Sequence, residues 1–294
     1  MRSTTASDPR DCMPTPPGMI WLASYPKSGN TWLRVLLSNL VHGGDRPQDI
    51  NELLLAGAVA SDRELLGALT LLDSDLLRDD EIERLRPAIL ESFAAEQVRA
   101  TFIKVHDAYT LLQGGVPLLG RAARAAVYVV RDPRDVVVSY ASHNDCTIEK
   151  AIADLNDSTN ILNDKQRHQT RQRVLDWSGH VCSWLDQSEV PIHVVRYEDL
   201  LMDTVTVFGR MLNFIGITAE SDQIARAVRH SDFTELQRQE RDKGFGERVG
   251  RAPFFRAGKV GNWRECLTAA QLHEIENAHG EVMERTGYRR EGTQ

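Results

Sequence analysis

One unit near the start of the chain constrains its fold more than any other. Ile20-Trp21-Leu22-Ala23-Ser24 is an unbroken, largely apolar run that meets Tyr25-Pro26-Lys27-Ser28-Gly29-Asn30-Thr31-Trp32, and Leu33-Arg34-Val35-Leu36-Leu37 follows at helical length. From Met19 to Leu40 this reads as buried strand, tight loop and buried helix. The first backbone N–H groups of a helix have no partner within it, so a lysine and hydroxyls beside them complete a ready anion site.

The rest of the chain repeats the alternation of strand and helix. Gly43-Gly44 stops the first helix. From Asp45 to about Glu96 the sequence is acidic and helical, with Leu53-Leu54-Leu55, Leu65-Leu66 and Leu85 as buried faces and Asp79-Asp80-Glu81 at a helix start. Thr101–His106, Ala126–Arg131 and Pro191–Arg196 read as further strands. Asp132 and Pro133 are the cap and first-turn residue of a helix over Arg134–His143, and Gln166–Leu185 repeats apolar residues at helical spacing. Helices are expected near Val205–Ile215, Asp222–His230 and Ala269–Thr286, with a long ordered loop from Gln239 to Gly261. Strands alternating with helices imply a single α/β domain with a central parallel sheet covered on both faces. Residues 1–18, polar and with Pro14, Pro16 and Pro17, read as a poorly ordered tail ahead of a domain over 19–290.

Composition removes whole classes of function. In 294 residues no apolar stretch reaches the roughly 18 needed to span a membrane, and no apolar segment follows Met1-Arg2-Ser3 as in a secretory signal. Cys12, Cys146, Cys182 and Cys266 show neither pairing nor metal spacing, which suits a reducing compartment, so the expected location is the cytoplasm. A net charge of −7 disfavours nucleic acid as a partner, so any anion must be held by a local cluster.

The loop itself departs from the usual nucleoside-triphosphate pattern, Gly-x-x-x-x-Gly-Lys-Ser/Thr, because Lys27 precedes Gly29. Amides and hydroxyls of Ser28, Gly29, Asn30 and Thr31 can surround a terminal phosphate while Lys27 reaches a bridging oxygen. No Asp-tipped strand suggests a magnesium site, and the expectation is an anion held without metal.

Tyr25–Trp32 resembles the 5′-phosphosulfate loop of the cytosolic-type sulfotransferases, Tyr-Pro-Lys-Ser-Gly-Thr-Thr-Trp, with Asn30 in place of a threonine. Val129–Tyr140 is similar to the family's 3′-phosphate block, which makes Arg131 and Ser139 the 3′-phosphate ligands. Lys104-Val105-His106 resembles its Lys-Thr-His, in which the histidine is the general base; Asp107-Ala108 stands where Leu-Pro is usual. Tyr197 in Tyr197-Glu198-Asp199 and Phe233 in Ser231-Asp232-Phe233 match adenine-contacting positions. Phe255–Trp263 matches the block Arg-Lys-Gly-x-x-Gly-Asp-Trp at Arg256, Gly258, Gly261 and Trp263, with Ala257 for the lysine and Lys259 beyond Gly258. The dimer motif survives only in part at Arg264, Thr268 and Ala269, with His273 at its acidic position, so the oligomeric state stays open.

The resemblance implies a P-loop-like fold and transfer of a sulfuryl group from 3′-phosphoadenosine 5′-phosphosulfate (PAPS) to a hydroxyl, or else an amine, of a small molecule, leaving adenosine 3′,5′-bisphosphate (PAP). It implies His106, Lys27 and Lys104 as catalytic residues. The nucleotide set is Lys27, Ser28, Gly29, Asn30, Thr31, Trp32, Arg131, Ser139, Tyr197, Phe233, Arg256, Ala257 and Gly258. Residues 45–98 carry no family motif and are expected to form an insert over the acceptor. Two other readings are a nucleotide-binding module without catalysis and an ATP-dependent kinase, the latter lacking its Gly-Lys-Ser/Thr order and magnesium carboxylate.

Overall fold

A computed structural model describes residues 16–53, 59–71, 73–162 and 169–291. Most of the expected tail, Leu54, Leu55 and the start of the helix expected from Gln166 lie outside the described residues. The strands are β1 (Gly18–Ser24), β2 (Ala100–Val105), β3 (Ala125–Val130), β4 (Ile161–Leu162), β5 (Gln172–Arg173) and β6 (Ile192–Arg196). β2-β1-β3-β6 form one parallel sheet, with β4 and β5 a separate antiparallel pair. β1 lies between β2 and β3, with Ala23 opposite Val105 and Ser24 opposite Val129. The strands therefore end along one edge, and the Tyr25–Gly29 loop, His106, Arg131 and Tyr197 all leave from it.

Alternate side chains of β1 feed opposite faces, as the pleat requires. Met19, Trp21 and Ala23 join Ile103, Val105, Tyr128 and Val130 in one core, while Ile20 and Leu22 join Phe102, Val127 and Val129 in the other. The second core is closed by α1 (Asn30–His42), whose Leu33, Leu36, Leu37 and Leu40 recur at the spacing of one helix face. Each such fully buried side chain contributes about 1.5–3 kcal/mol of transfer free energy, so α1 is pinned along its length. Gly43, in the left-handed region at φ 62°, ends it.

The remaining helices are α2 (Arg63–Thr70), α3 (Asp79–Ala95), α4 (Pro133–Asn144), α5 (Ile148–Asn156), α6 (Trp177–Leu185), α7 (Tyr197–Met202), α8 (Thr204–Phe214), α9 (Ser221–His230), α10 (Phe233–Lys243), α11 (Trp263–Cys266) and α12 (Ala269–Arg285). Asp132 caps α4 by accepting from the Arg134 amide, with Pro133 in the first turn, as the sequence predicts. Two expectations need correction. The helix predicted to reach Leu185 begins only at Trp177, because the Asp176 carboxylate caps it by accepting from the Gly179 amide and Gln172–Arg173 is extended. The loop predicted from Gln239 begins only after Lys243. α10 buries only Leu236 of its apolar residues and is supported by Arg238 paired with Glu235 and Asp242, so it carries little hydrophobic period to read.

Within residues 45–98, α2 and α3 pack through Leu66, Ile82 and Ile89. Two buried ionic contacts tie α3 to the rest of the domain. Arg86 grips Asp107 with both terminal nitrogens, at 3.2 and 2.7 Å, and Glu83 accepts from Arg171 at 2.7 Å and from Arg173. Asp107 thus anchors the insert directly behind the end of β2.

Candidate active site

The loop between β1 and α1 is shaped by two unusual backbones. Lys27 sits at φ 68°, a conformation that costs a non-glycine residue free energy, and Gly29 at φ 106°. A Cβ on Gly29 would lie 2.5 Å from the Tyr197 ring, so only glycine fits. No side chain caps α1, which leaves its first N–H groups to whatever enters the loop. The Ser28 hydroxyl, buried in the same loop, has no hydrogen-bond partner among the described residues.

The Asn30 side chain does not face the loop. Its amide nitrogen turns into the sheet, donating to the Leu22 carbonyl at 2.8 Å and to Ser24 Oγ at 3.3 Å. Ser24 in turn meets His106: Nδ1 lies 2.8 Å from the Ser24 carbonyl and 3.4 Å from its hydroxyl. A carbonyl only accepts, so His106 Nδ1 carries the proton and Nε2 keeps a lone pair. Behind it, buried His180 donates from Nε2 to the His106 carbonyl and accepts from Tyr128 at Nδ1. Burial first, and the Lys104 charge second, lower the His106 pKa to about 3, so the ring is neutral at physiological pH.

Arg131 ties the second block to the first. Its Nη1 donates to the Lys27 carbonyl at 3.1 Å, Nη2 donates to the Lys259 carbonyl at 3.3 Å, and the guanidinium lies 4.4 Å over the Tyr197 ring; its buried Nε has no partner among the described residues. Trp32 packs edge-on against Tyr197 and donates to the Ser231 carbonyl. Ser139 is half-buried on α4. Phe233 starts α10 against Gly258, which at φ 57° brings bare backbone to the ring: a Cβ there would stand 2.8 Å from it. Arg256 is exposed and opens on a cleft of about 640 Å³ with Val138, Ser142 and Arg251; the structure gives it no contact with Arg131.

One segment, 244–262, covers all of this. Phe254 lies under the Lys27 ammonium, 3.8 Å from ring centroid to Nζ. Burial, followed by the Lys104 and Arg131 charges, brings the Lys27 pKa down to about 7. Glu247 reaches deeper: Oε1 accepts from Arg34 Nη1 at 2.6 Å, and Oε2 from Lys104 at 3.2 Å and Thr31 at 3.4 Å. Burial raises the Glu247 pKa, but the Lys104 and Arg34 charges outweigh it and hold it at about 2.

Lys27 is thus joined to Arg131, Thr31 and Lys104 to Glu247, and His106 to Ser24 where β1, β2 and β3 end. Phe233 with Gly258 makes a separate contact, and no hydrogen bond joins Ser139 to them among the described residues. Sequence reasoning missed Ser24, Arg34, His180 and Glu247. Of these only Arg34, a charge within an otherwise apolar helix, carries a signal of its own.

Residues 17–287 match the model described as the sulfotransferase domain. The 3-beta-hydroxysteroid sulfotransferase of Cavia porcellus is 26% identical over 171 residues, 53% of this chain and 55% of that protein, so that match spans about half of each. Sulfotransferase 1B1 of Mus musculus is 22% identical over 283 residues, 92% of this chain and 84% of the relative. Retinol dehydratase, solved in complex with androsterone and the inactive cofactor PAP, superposes with a TM-score of 0.59 at 20% identity, covering 95% of this chain and 84% of its own, which is a likeness of fold. With residues 17–287 of its 294 matched, the chain belongs to the sulfotransferase domain family.

Proposed function

We propose that the chain transfers a sulfuryl group from PAPS to a hydroxyl of a small-molecule acceptor, with an amine as the second choice, in the cup where β1, β2 and β3 end. The observation that carries this reading is the fixed tautomer of His106 beside Lys104. A neutral imidazole whose Nδ1–H is committed to the Ser24 carbonyl offers Nε2 as the base for an acceptor proton. The bound donor supplies a sulfuryl group on a phosphate leaving oxygen.

The remaining residues are assigned the following tasks. The uncapped α1 amides from Ser28 to Thr31, with the Ser28 and Thr31 hydroxyls, suit the 5′-phosphate. Lys27 moves off Phe254 to cover charge on the departing oxygen, and Lys104 orients the transferred group. Arg131 and Ser139 take the 3′-phosphate with Arg256 and the backbone at Ala257 and Gly258, while Trp32, Tyr197 and Phe233 supply faces for adenine. Asn30 contributes its backbone amide, and its side chain holds Ser24. Residues 45–98 form part of the acceptor wall, anchored through Arg86 and Asp107. Among the described residues Cys146, Cys182 and Cys266 form no disulfide, in keeping with a reducing, cytoplasmic setting. No described helix is long and apolar enough to cross a membrane.

A pool of phenols, alkyl alcohols, sugars and amines incubated with sulfur-labelled donor tests the reading. Label is expected in at least one hydroxyl compound, and absence of transfer together with absence of PAP binding would overturn it.

A further inference from the structure

Arg34 stands out among the charges of this molecule. It is fully buried on α1, within a helix that packs Leu33, Val35, Leu36 and Leu37 into the core. A guanidinium does not lose its proton in a protein, so Arg34 needs a counter-anion in every state the enzyme passes through. Its ion-pair partner is Glu247, and its Nε and Nη2 are buried with no hydrogen-bond partner among the described residues.

The two members of this pair are not equally fixed. Arg34 is held by the helix, whereas the Glu247 side chain is 31% exposed and rides on the covering segment. Its carboxylate is gripped from three sides, by Arg34, Lys104 and the Thr31 hydroxyl. Thr31 belongs to the loop and Lys104 lies two residues from His106, so the carboxylate lies where the loop and the base converge. Its two oxygens meet charge-assisted donors as the oxygens of any tetrahedral oxyanion would.

We propose that Arg34 is a further catalytic residue, holding sulfuryl oxygens between itself, Lys104 and Thr31, and that Glu247 fills this cup until the donor's sulfuryl group replaces it. This rests on the sulfotransferase reading above. In the step so assisted, the bond from sulfur to the bridging phosphate oxygen breaks, a bond from sulfur to the acceptor oxygen forms, and the acceptor proton passes to His106 Nε2. Arg34 keeps its proton throughout and neutralises charge on the sulfuryl oxygens. Glu247 leaves with the cover, so donor binding and withdrawal of that carboxylate are one event.

PAP lacks the sulfuryl group and PAPS carries it, so the ratio of their affinities reports on the cup alone. Calorimetric titration of the full chain with each nucleotide, without acceptor, is the experiment. Glu247→Gln removes the competing charge at nearly constant shape and is expected to tighten PAPS about tenfold more than it tightens PAP. Arg34→Met is expected to weaken PAPS relative to PAP by about tenfold or more and to slow single-turnover transfer about a hundredfold, with Arg34→Lys in between. An unchanged ratio in Glu247→Gln overturns the proposal. Because that change takes the counter-charge from buried Arg34, Glu247→Asp, which keeps the charge on a shorter side chain, is titrated beside it, and an unchanged ratio there overturns the proposal where Glu247→Gln does not fold. Failure of the parent to bind PAP would instead sink the sulfotransferase reading itself.

Discussion

The floor of the site and its cover are built in contrasting ways. The floor consists of strand ends, the loop after β1 and the first turns of α1, where Tyr25, Ser28, Asn30 and Arg34 are buried. The cover, 244–262, buries Phe245 and Phe255 in a small cluster with Val35, Ile50 and Leu236, and its other ties are to carboxylates. Glu240 accepts from the Phe254 and Phe255 amides, Asp135 from those of Gly261 and Trp263, and Glu247 from Arg34 and Lys104. A floor packed into the two main cores has one arrangement, while the cover rests on a smaller cluster and on carboxylate contacts, of which the Glu247 ion pairs can be exchanged for a ligand's anions. Rigidity belongs to the half that sets the base, and exchange to the half that must admit a nucleotide.

The largest effect should come from the floor's own buried ion pair. Asp107→Ala strands the Arg86 guanidinium and is expected to cost about 3–5 kcal/mol in urea unfolding; a loss within about 0.5 kcal/mol, typical of surface changes, would mean the floor is not fixed as described. Next is the base: His106→Ala should slow transfer by about a hundredfold or more while PAP affinity holds. Near-parental turnover in that variant would remove His106 from its role.

Lys27 sharpens the contrast through pH. In the free protein its pKa is about 7, and a bound anion raises it, so the charged form that favours PAP is complete below that value. PAP affinity should therefore fall as pH rises from about 7, by at most about tenfold per unit, with proton uptake visible as a buffer-dependent heat. Nearby His143, lowered to about 4 by burial and then by the Lys27 charge, does not titrate in this window. A flat profile between pH 7 and 9 would place Lys27 outside the anion site. The smallest effect is on the cover: Gly258→Ala, forced against Phe233 at a positive φ, should lower the unfolding free energy by about 1 kcal/mol and weaken PAP by a similar amount.

The floor was largely legible in the sequence and the cover was not. Short continuous apolar runs rich in β-branched and aromatic residues, such as Ala126–Val130, read as buried strands, so the sequence places Lys27, His106 and Arg131 at or just beyond strand ends. Asn30 was visible as a replacement of threonine, but its inward turn to Leu22 and Ser24 depends on the three-dimensional approach of β1 to α1. Glu247 lies 213 positions from Arg34, in a stretch without periodicity, and no local pattern connects two charges that meet only when a loop folds back over a helix.

The central claim is that the cup at the end of β1 is a PAPS site, and the most direct measurement is unfolding free energy with PAP against ATP and Mg²⁺. PAP at a hundred times its dissociation constant should add about 2.7 kcal/mol, while ATP with Mg²⁺ adds little. Stabilisation by ATP with Mg²⁺ and none by PAP would contradict the account.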